Sequence, residues 1–297
     1  MTETTGRILK VGLTQWHATT DVDANLAVAV SLTEKAADDG AALVVLPENG
    51  LMLGTNAGMR AAAFTEDGPA IRALAEVAAR RGVLVIVGGM KNQTADGVVN
   101  SAVVIDSDGT VAGRYDKLHL FDANIGGQSF EASSVEKPGS ELALLDIDGV
   151  RVGLSICYDV RFPEMFRALA LAGAEVLLVP AAFTQSTGEA HWHTLLRARA
   201  IENLAYVVAP ATVRSPSPEY TDAFPTYGHA LAVSPWGEVL ADLGESPAAV
   251  EVVTLDLDAV DAARTKLSVL RGVRGAAIYG SEPKVISVSS RTTGVKA

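Results

Sequence analysis

At 297 residues and a formal net charge of −11, the chain is long enough for a sizeable core and offers no basic face to nucleic acid or anionic lipid. Its single cysteine excludes an intramolecular disulfide framework and suits a reducing compartment. The opening MTETTGRILKVGL lacks the apolar core of a signal peptide, and runs such as AALVVLP are too short to span a bilayer, so a cytoplasmic protein is expected.

In chain order, ILKVGLTQ reads as a first strand, followed by a helix from about Asp23 to Asp39 that stops at Gly40. ALVVLPE is a second strand, Pro69 opens a helix that Gly82 closes, and VLVIVGG is a third strand apolar enough for burial on both faces. From Asn100 onward hairpins appear, turning at Asp108-Gly109 and at Asp148-Gly149. VRVGLSI then hands over to a helix opened by Pro163, AEVLLVP is a further strand, and EAHWHTLLRARAIENL a helix leading into AYVVAPA. A third hairpin turns at Pro235-Trp236-Gly237, and AAVEVVTLDLD is the final strand. No linker, low-complexity tract or short repeat divides the chain. One domain over residues 1–297 is expected, with a tail from about 271 and an architecture of mixed sheets covered by helices, a layered α/β sandwich.

Three residues stand at the carboxyl ends of these strands, where α/β sheets bind ligands. Cys157 lies in GLSICYDVRFPE, between a strand and a helix whose N-terminus favours a thiolate; a lone cysteine is more often a small buried hydrophobe. Glu48 follows LVVLP and Lys117 follows the second strand of a hairpin, and each alone would pass for a surface charge. Together, a thiol, a carboxylate and an ammonium supply a nucleophile, a general base and an oxyanion donor.

The flanks LPE with Glu48, YDKLHLFD with Lys117 and GLSICYDVRFPE with Cys157 resemble the nitrilase, or carbon–nitrogen hydrolase, superfamily, and the likeness runs nearly end to end. Its Cys-Tyr-Asp context is similar to the ω-amidase and deaminated-glutathione amidase branch. The resemblance implies a four-layer αββα sandwich, a Glu48–Lys117–Cys157 triad, a homodimer or higher homo-oligomer, and an amidase that needs no metal or organic cofactor. Family members often carry a second glutamate in a Phe-x-Glu-Ser segment. Here GGQSFEASSVEKPG offers Glu131, one residue off in its spacing to Pro138-Gly139.

The expected chemistry is hydrolysis of a small carboxylate-bearing monoamide through a thioester on Cys157. The backbone N–H of Tyr158 would join Lys117 in binding the oxyanion. Arg161, Thr184 and His191, in segments near the expected pocket walls, are candidate substrate contacts. Asp159, Arg161 and Glu164 are expected to hold the turn by mutual pairing. Arg197, Arg199 and Glu202 read as a packed ion-pair network or as substrate contacts. His191 and His193, at i and i+2 on a helix, diverge and do not make a metal site. Gly88-Gly89 is not followed by a dinucleotide fingerprint. N-carbamoyl compounds or nitriles are the alternative substrates. A catalytically idle binding protein and a Cys157 redox sensor are the alternatives of another class, the latter without an intramolecular resolving thiol.

Overall fold

In the computed structural model, which describes residues 6–125, 128–217, 222 and 225–286, the chain folds as two sheets with helices outside each. The first half contains β1 (Ile8–Trp16), α1 (Val22–Asp38), β2 (Leu43–Val45), α2 (Asn56–Ala61), α3 (Pro69–Arg81), β3 (Leu84–Thr94), β4 (Gly97–Ile105) and β5 (Val111–Asp116). A separate hairpin of β6 (Asp122–Ile125) and β7 (Gln128–Glu131) leads to the second half: β8 (Leu144–Ile147), β9 (Val150–Gly153), α4 (Pro163–Leu171), β10 (Val176–Leu178), α5 (Gln185–Asn203) and β11 (Tyr206–Ala209). Then come β12 (Ala211–Thr212), β13 (Leu231–Val233), β14 (Val239–Asp242), β15 (Ala248–Asp256), α6 (Asp258–Lys266) and α7 (Ala276–Tyr279).

The seven-stranded sheet runs β12-β1-β2-β3-β4-β5, with β15 antiparallel along β1; the six-stranded sheet runs β14-β13-β11-β10-β9-β8. In both sheets the parallel pairs are joined through helices, as a parallel connection requires. Strand period 2 explains the layering. Leu43, Val45, Ile86, Ala102 and Val104 join Val152, Val176 and Leu178 in a core that includes both sheets. Their neighbours Val44, Val85, Val87, Val103 and Ile105 pack instead with Ala29, Ala36, Ile71 and Leu74 of α1 and α3. A strand segment buried on both faces favours an unbroken apolar run, and the LVIV that opens β3 is such a run.

The turn signals are met as expected. Asp148 and Gly149 have φ of 50° and 87°, the paired positive values of a type I′ turn, and Gly82 ends α3 in the left-handed region at 64°. The differences are in extent. The second strand is only Leu43–Val45, the strand before Cys157 stops at Gly153, and α5 begins four residues earlier than its apolar pattern suggests. No helix among the described residues is long and apolar enough to cross a membrane. Past residue 270 the described tail is almost wholly exposed and forms only the short α7.

Candidate active site

The loops after β2, β5 and β9 converge at one end of the sandwich, in a pocket that includes Glu48, Lys117 and Cys157 in its wall. All three are buried, at 3%, 4% and 8% exposure. The Lys117 Nζ donates to Glu48 Oε1 at 2.8 Å, Asn100 Nδ2 donates to the same oxygen at 2.9 Å, and the Ala182 N–H donates to Oε2 at 2.9 Å. The Cys157 thiol lines the same pocket, near enough for the Glu48 charge to act on it.

This burial decides the charge states. Desolvation pushes the Glu48 carboxyl up, but the ammoniums of Lys117 and Lys91, with the hydrogen bond from Lys117, outweigh it and hold the group at about 2. Burial is the largest single effect on Lys117 and lowers it, but the neighbouring negative groups, Glu48 first and then Cys157, Asp159 and Glu136, together outweigh it, and the ammonium ends above its ordinary value. Cys157 is pushed up, first by burial and then by the Glu48 charge, with Lys117 opposing. The resting site is therefore carboxylate, ammonium and neutral thiol. The thiolate favoured by a helix N-terminus is not its ground state. A 3₁₀ turn, Cys157–Arg161, separates the sulfur from α4.

Local structure fixes the sulfur. Cys157 has φ of 49°, a left-handed conformation that costs a non-glycine residue about 1–2 kcal/mol. Its N–H donates to the Pro180 carbonyl at 2.9 Å. Asp159, fully buried, accepts from the Ile156 N–H at 2.8 Å, the Tyr115 hydroxyl at 2.8 Å and the His119 N–H at 3.1 Å, and pairs with His119 Nδ1 at 2.8 Å. The Asp159 carboxylate thus ties the cysteine turn to the segment that follows Lys117; it does not pair with Arg161 and Glu164 as expected. Tyr158 is the second residue of the 3₁₀ turn, where an N–H has no acceptor within the turn.

Gly88-Gly89 brings the sheet close to the site. A Cβ on Gly88 would lie 1.7 Å from the Leu46 carbonyl oxygen, and one on Gly89, at φ 135°, 3.0 Å from Glu48 Cγ. The pair marks a bulge where β3 passes behind the loop that carries Glu48.

The other sequence candidates fare differently. Arg161 lies in the pocket wall with its guanidinium 5.1 Å from the Phe183 ring and 5.8 Å from the Tyr158 ring. Thr184 is in the wall as well, bonded to Thr187 at 2.6 Å. His191 is exposed outside the pocket, and its Nδ1 accepts long 3.4 Å contacts from Arg161. Arg197 donates to the Gly237 carbonyl, and Arg199 to the Val160 carbonyl and Glu202, so both are packed supports.

Glu131 is a correction. It is exposed at the end of β7, accepts from Ser129 Oγ at 3.1 Å, and does not line the pocket. The glutamate beside the lysine is Glu136. A 3₁₀ turn over Ala132–Ser134 carries the chain back, and the Lys137 N–H to Val98 O and Gly139 N–H to Lys117 O bonds, both 2.8 Å, dock this segment along β4 and beside Lys117. Glu136 is buried and pairs at 2.7 Å with Lys91, a pocket residue on β3 that sequence reasoning missed. Its signal was a lysine continuing a strand that is otherwise buried on both faces.

The carbon–nitrogen hydrolase family model matches residues 10–265. The chain is 39% identical to a deaminated glutathione amidase of Yersinia enterocolitica over 230 residues, which is 75% of this chain and 78% of the relative. It is 35% identical to the human omega-amidase NIT2 over 266 residues, 88% of this chain and 92% of the relative. Among solved structures, the Caenorhabditis elegans NitFhit protein superposes with a TM-score of 0.82 at 35% identity, covering 91% of this chain and 66% of that one. A Nesterenkonia amidase, solved with an acetamide moiety added covalently to its active-site cysteine, superposes at 0.77 with 25% identity, covering 92% of this chain and 95% of that one.

Proposed function

We propose that this chain, which belongs to the carbon–nitrogen hydrolase family, hydrolyses a small carboxylate-bearing monoamide to acid and ammonia through a thioester on Cys157. The observation that carries the reading is the buried ion pair of Lys117 and Glu48, 2.8 Å long, in a pocket wall shared with the buried Cys157 thiol.

In this mechanism Glu48 takes the thiol proton as sulfur attacks the amide carbon, so the neutral resting thiol is compatible with nucleophilic attack. Lys117 and the Tyr158 N–H receive the oxyanion. Glu48 returns the proton to the leaving nitrogen, the C–N bond breaks, and ammonia departs. Glu48 then takes a proton from water, hydroxide attacks the thioester, and the departing sulfur recovers that proton. Amide and water become acid and ammonia, with the enzyme unchanged.

An anionic substrate is supported by the wall itself. Its charged members among the described residues are Lys91, Lys117 and Arg161 against Glu48 and Glu136, a local excess of positive charge in a chain of net charge −11. The names of the relatives, deaminated glutathione amidase and omega-amidase, support the same class. Exposed Leu171 on α4 and Ile201 on α5 support self-association through that helical face. A buried thiol as the working group suits a reducing, cytoplasmic setting.

Ammonia release is the test, measured on a panel of monoamides, N-carbamoyl compounds and nitriles, with hydroxylamine present and absent. Succinamate-type monoamides are expected to lead in kcat/KM and to yield hydroxamate in proportion to hydroxylamine, while Cys157→Ala and Cys157→Ser yield neither product. Faster turnover of neutral nitriles overturns the substrate class, and full activity in either cysteine variant overturns the mechanism.

A further inference from the structure

Away from the pocket, three side chains from three elements converge. His193 projects from the middle of α5, His229 precedes β13, and Asp242 ends β14. His193 Nε2 lies 2.9 Å from Asp242 Oδ2, and His229 Nδ1 lies 2.9 Å from Oδ1 and 3.2 Å from Oδ2. One nitrogen from each imidazole and one carboxylate oxygen all fall within 4.8 Å of one another. We propose that His193, His229 and Asp242 form a binding site for one zinc-class divalent cation, structural in role and separate from the Glu48–Lys117–Cys157 centre.

The chemistry of the donors selects the ion. Two imidazoles and one carboxylate suit zinc, cobalt or nickel, whereas calcium and magnesium require a larger set of oxygens. With metal–ligand bonds of about 2.0–2.1 Å, tetrahedral geometry places two ligand atoms about 3.3 Å apart. The two 2.9 Å separations need widen only slightly, while the imidazoles draw together. Each neutral ring turns a lone pair inward by carrying its proton on the far nitrogen. With side chains 35%, 22% and 30% exposed, the site is open to entry from solvent and to water as a further ligand.

The residues are held before any ion arrives. His229 has φ of 54°, and its backbone is fixed at both ends: its N–H donates to Gly244 O at 2.7 Å and its carbonyl accepts from the buried Trp192 Nε1 at 2.8 Å. Its ring stacks on Tyr227 at 4.5 Å. Asp242 Oδ1 also accepts from the Gly244 N–H at 2.9 Å. The connection to function runs through the strap before β13. The Tyr227 N–H donates to Phe183 O at 2.8 Å, and Thr226 bridges to Thr184, both partners being pocket-wall residues. An ion joining α5, the strap and β14 braces that wall from outside and touches none of the reacting groups.

Tag-free protein, stripped with chelator and dialysed, is titrated with zinc by calorimetry and with cobalt by visible absorption, and its Tm is read with and without zinc. One ion per chain, a tetrahedral or five-coordinate cobalt spectrum and a raised Tm are expected. His193→Gln and Asp242→Asn should each weaken zinc binding at least tenfold and remove the Tm gain, while circular dichroism shows them folded. Absence of stoichiometric binding overturns the proposal. So does binding unchanged in both variants, or binding lost in Cys157→Ser, which would place the ion at the thiol. Ammonia release by the stripped enzyme at 25 °C is scored separately, so failure of the amidase reading is not confused with failure of this one.

Discussion

At the residue scale, the site's electrostatics lead to a pH profile different from that of an exposed cysteine. Cys157 is pushed above its usual range by burial and the Glu48 charge, and Lys117 is raised as well. The profile of kcat/KM should therefore show no inflection near the ordinary thiol value of about 8.5. Iodoacetamide inactivation should likewise lack a step there; a clear step in either rate would mean that a free thiolate is the resting form. Glu48, held at about 2 in the folded chain against about 4.3 when unfolded, contributes stability that is full above the unfolded value. That contribution is lost as pH falls through the folded value, so an acid limb of activity near pH 5 is not the titration of Glu48.

The same scale separates the two glutamates. Glu136→Gln leaves buried Lys91 without its ionic partner, a loss of the kind that costs about 3–5 kcal/mol. It should lower Tm and reduce kcat at least about tenfold by disturbing the field at Lys117. Glu131→Gln, on an exposed side chain, should stay within about twofold of wild type on both the rate and the stability scale. Steady-state kinetics and thermal melts of the two variants check the assignment, and an inverted order would restore Glu131.

At the element scale, the glycines report which backbone approaches are tight. Gly82 caps α3 at φ 64°, and a Cβ there would meet nothing within 4 Å, so Gly82→Ala should cost only about 1–2 kcal/mol, the conformational penalty alone. Gly88 packs against the Leu46 carbonyl, where a Cβ would sit 1.7 Å from the oxygen and 2.4 Å from Pro180 Cβ. No rotamer relieves a collision with backbone, so β3 must move away from the loop that carries Glu48. Gly88→Ala should lower the urea midpoint well beyond Gly82→Ala and lose activity with it. Equal midpoints for the two would show that the close approach of β3 to that loop is not required.

At the scale of the whole molecule, α4 and α5 cover the six-stranded sheet and leave Leu171 52% and Ile201 46% exposed, with Trp236 at 55% on the β13–β14 turn. Ile201 lies against that turn, since a Cβ on Gly237 would meet its Cδ1 at 2.6 Å. An isologous dimer that buries this face would remove apolar area from water at about 25 cal/mol per Å². Light scattering should give twice the chain mass, and Leu171→Lys with Ile201→Glu should return a monomer that keeps its circular dichroism. A wild-type monomer at micromolar concentration removes the face from consideration.

The sequence by itself determined what repeats locally: the two-face apolar run of β3, the Asp148-Gly149 turn, the Pro69 start and Gly82 stop of α3, and the strand-end positions of Glu48, Lys117 and Cys157. Each follows from backbone sterics or from side-chain periodicity, which act over a few residues. Only the tertiary structure decided which glutamate meets Lys91, because the placement of Glu136 rests on Lys137 docking to Val98 and Gly139 to Lys117. It alone set the neutral thiol, since burial and the nearby Glu48 charge are properties of the packed chain. The grouping of His193 with His229 and Asp242 also belongs to the fold. Residues 36 and 49 positions away in the chain meet only after α5 has packed beside β13 and β14, and no local period encodes that meeting.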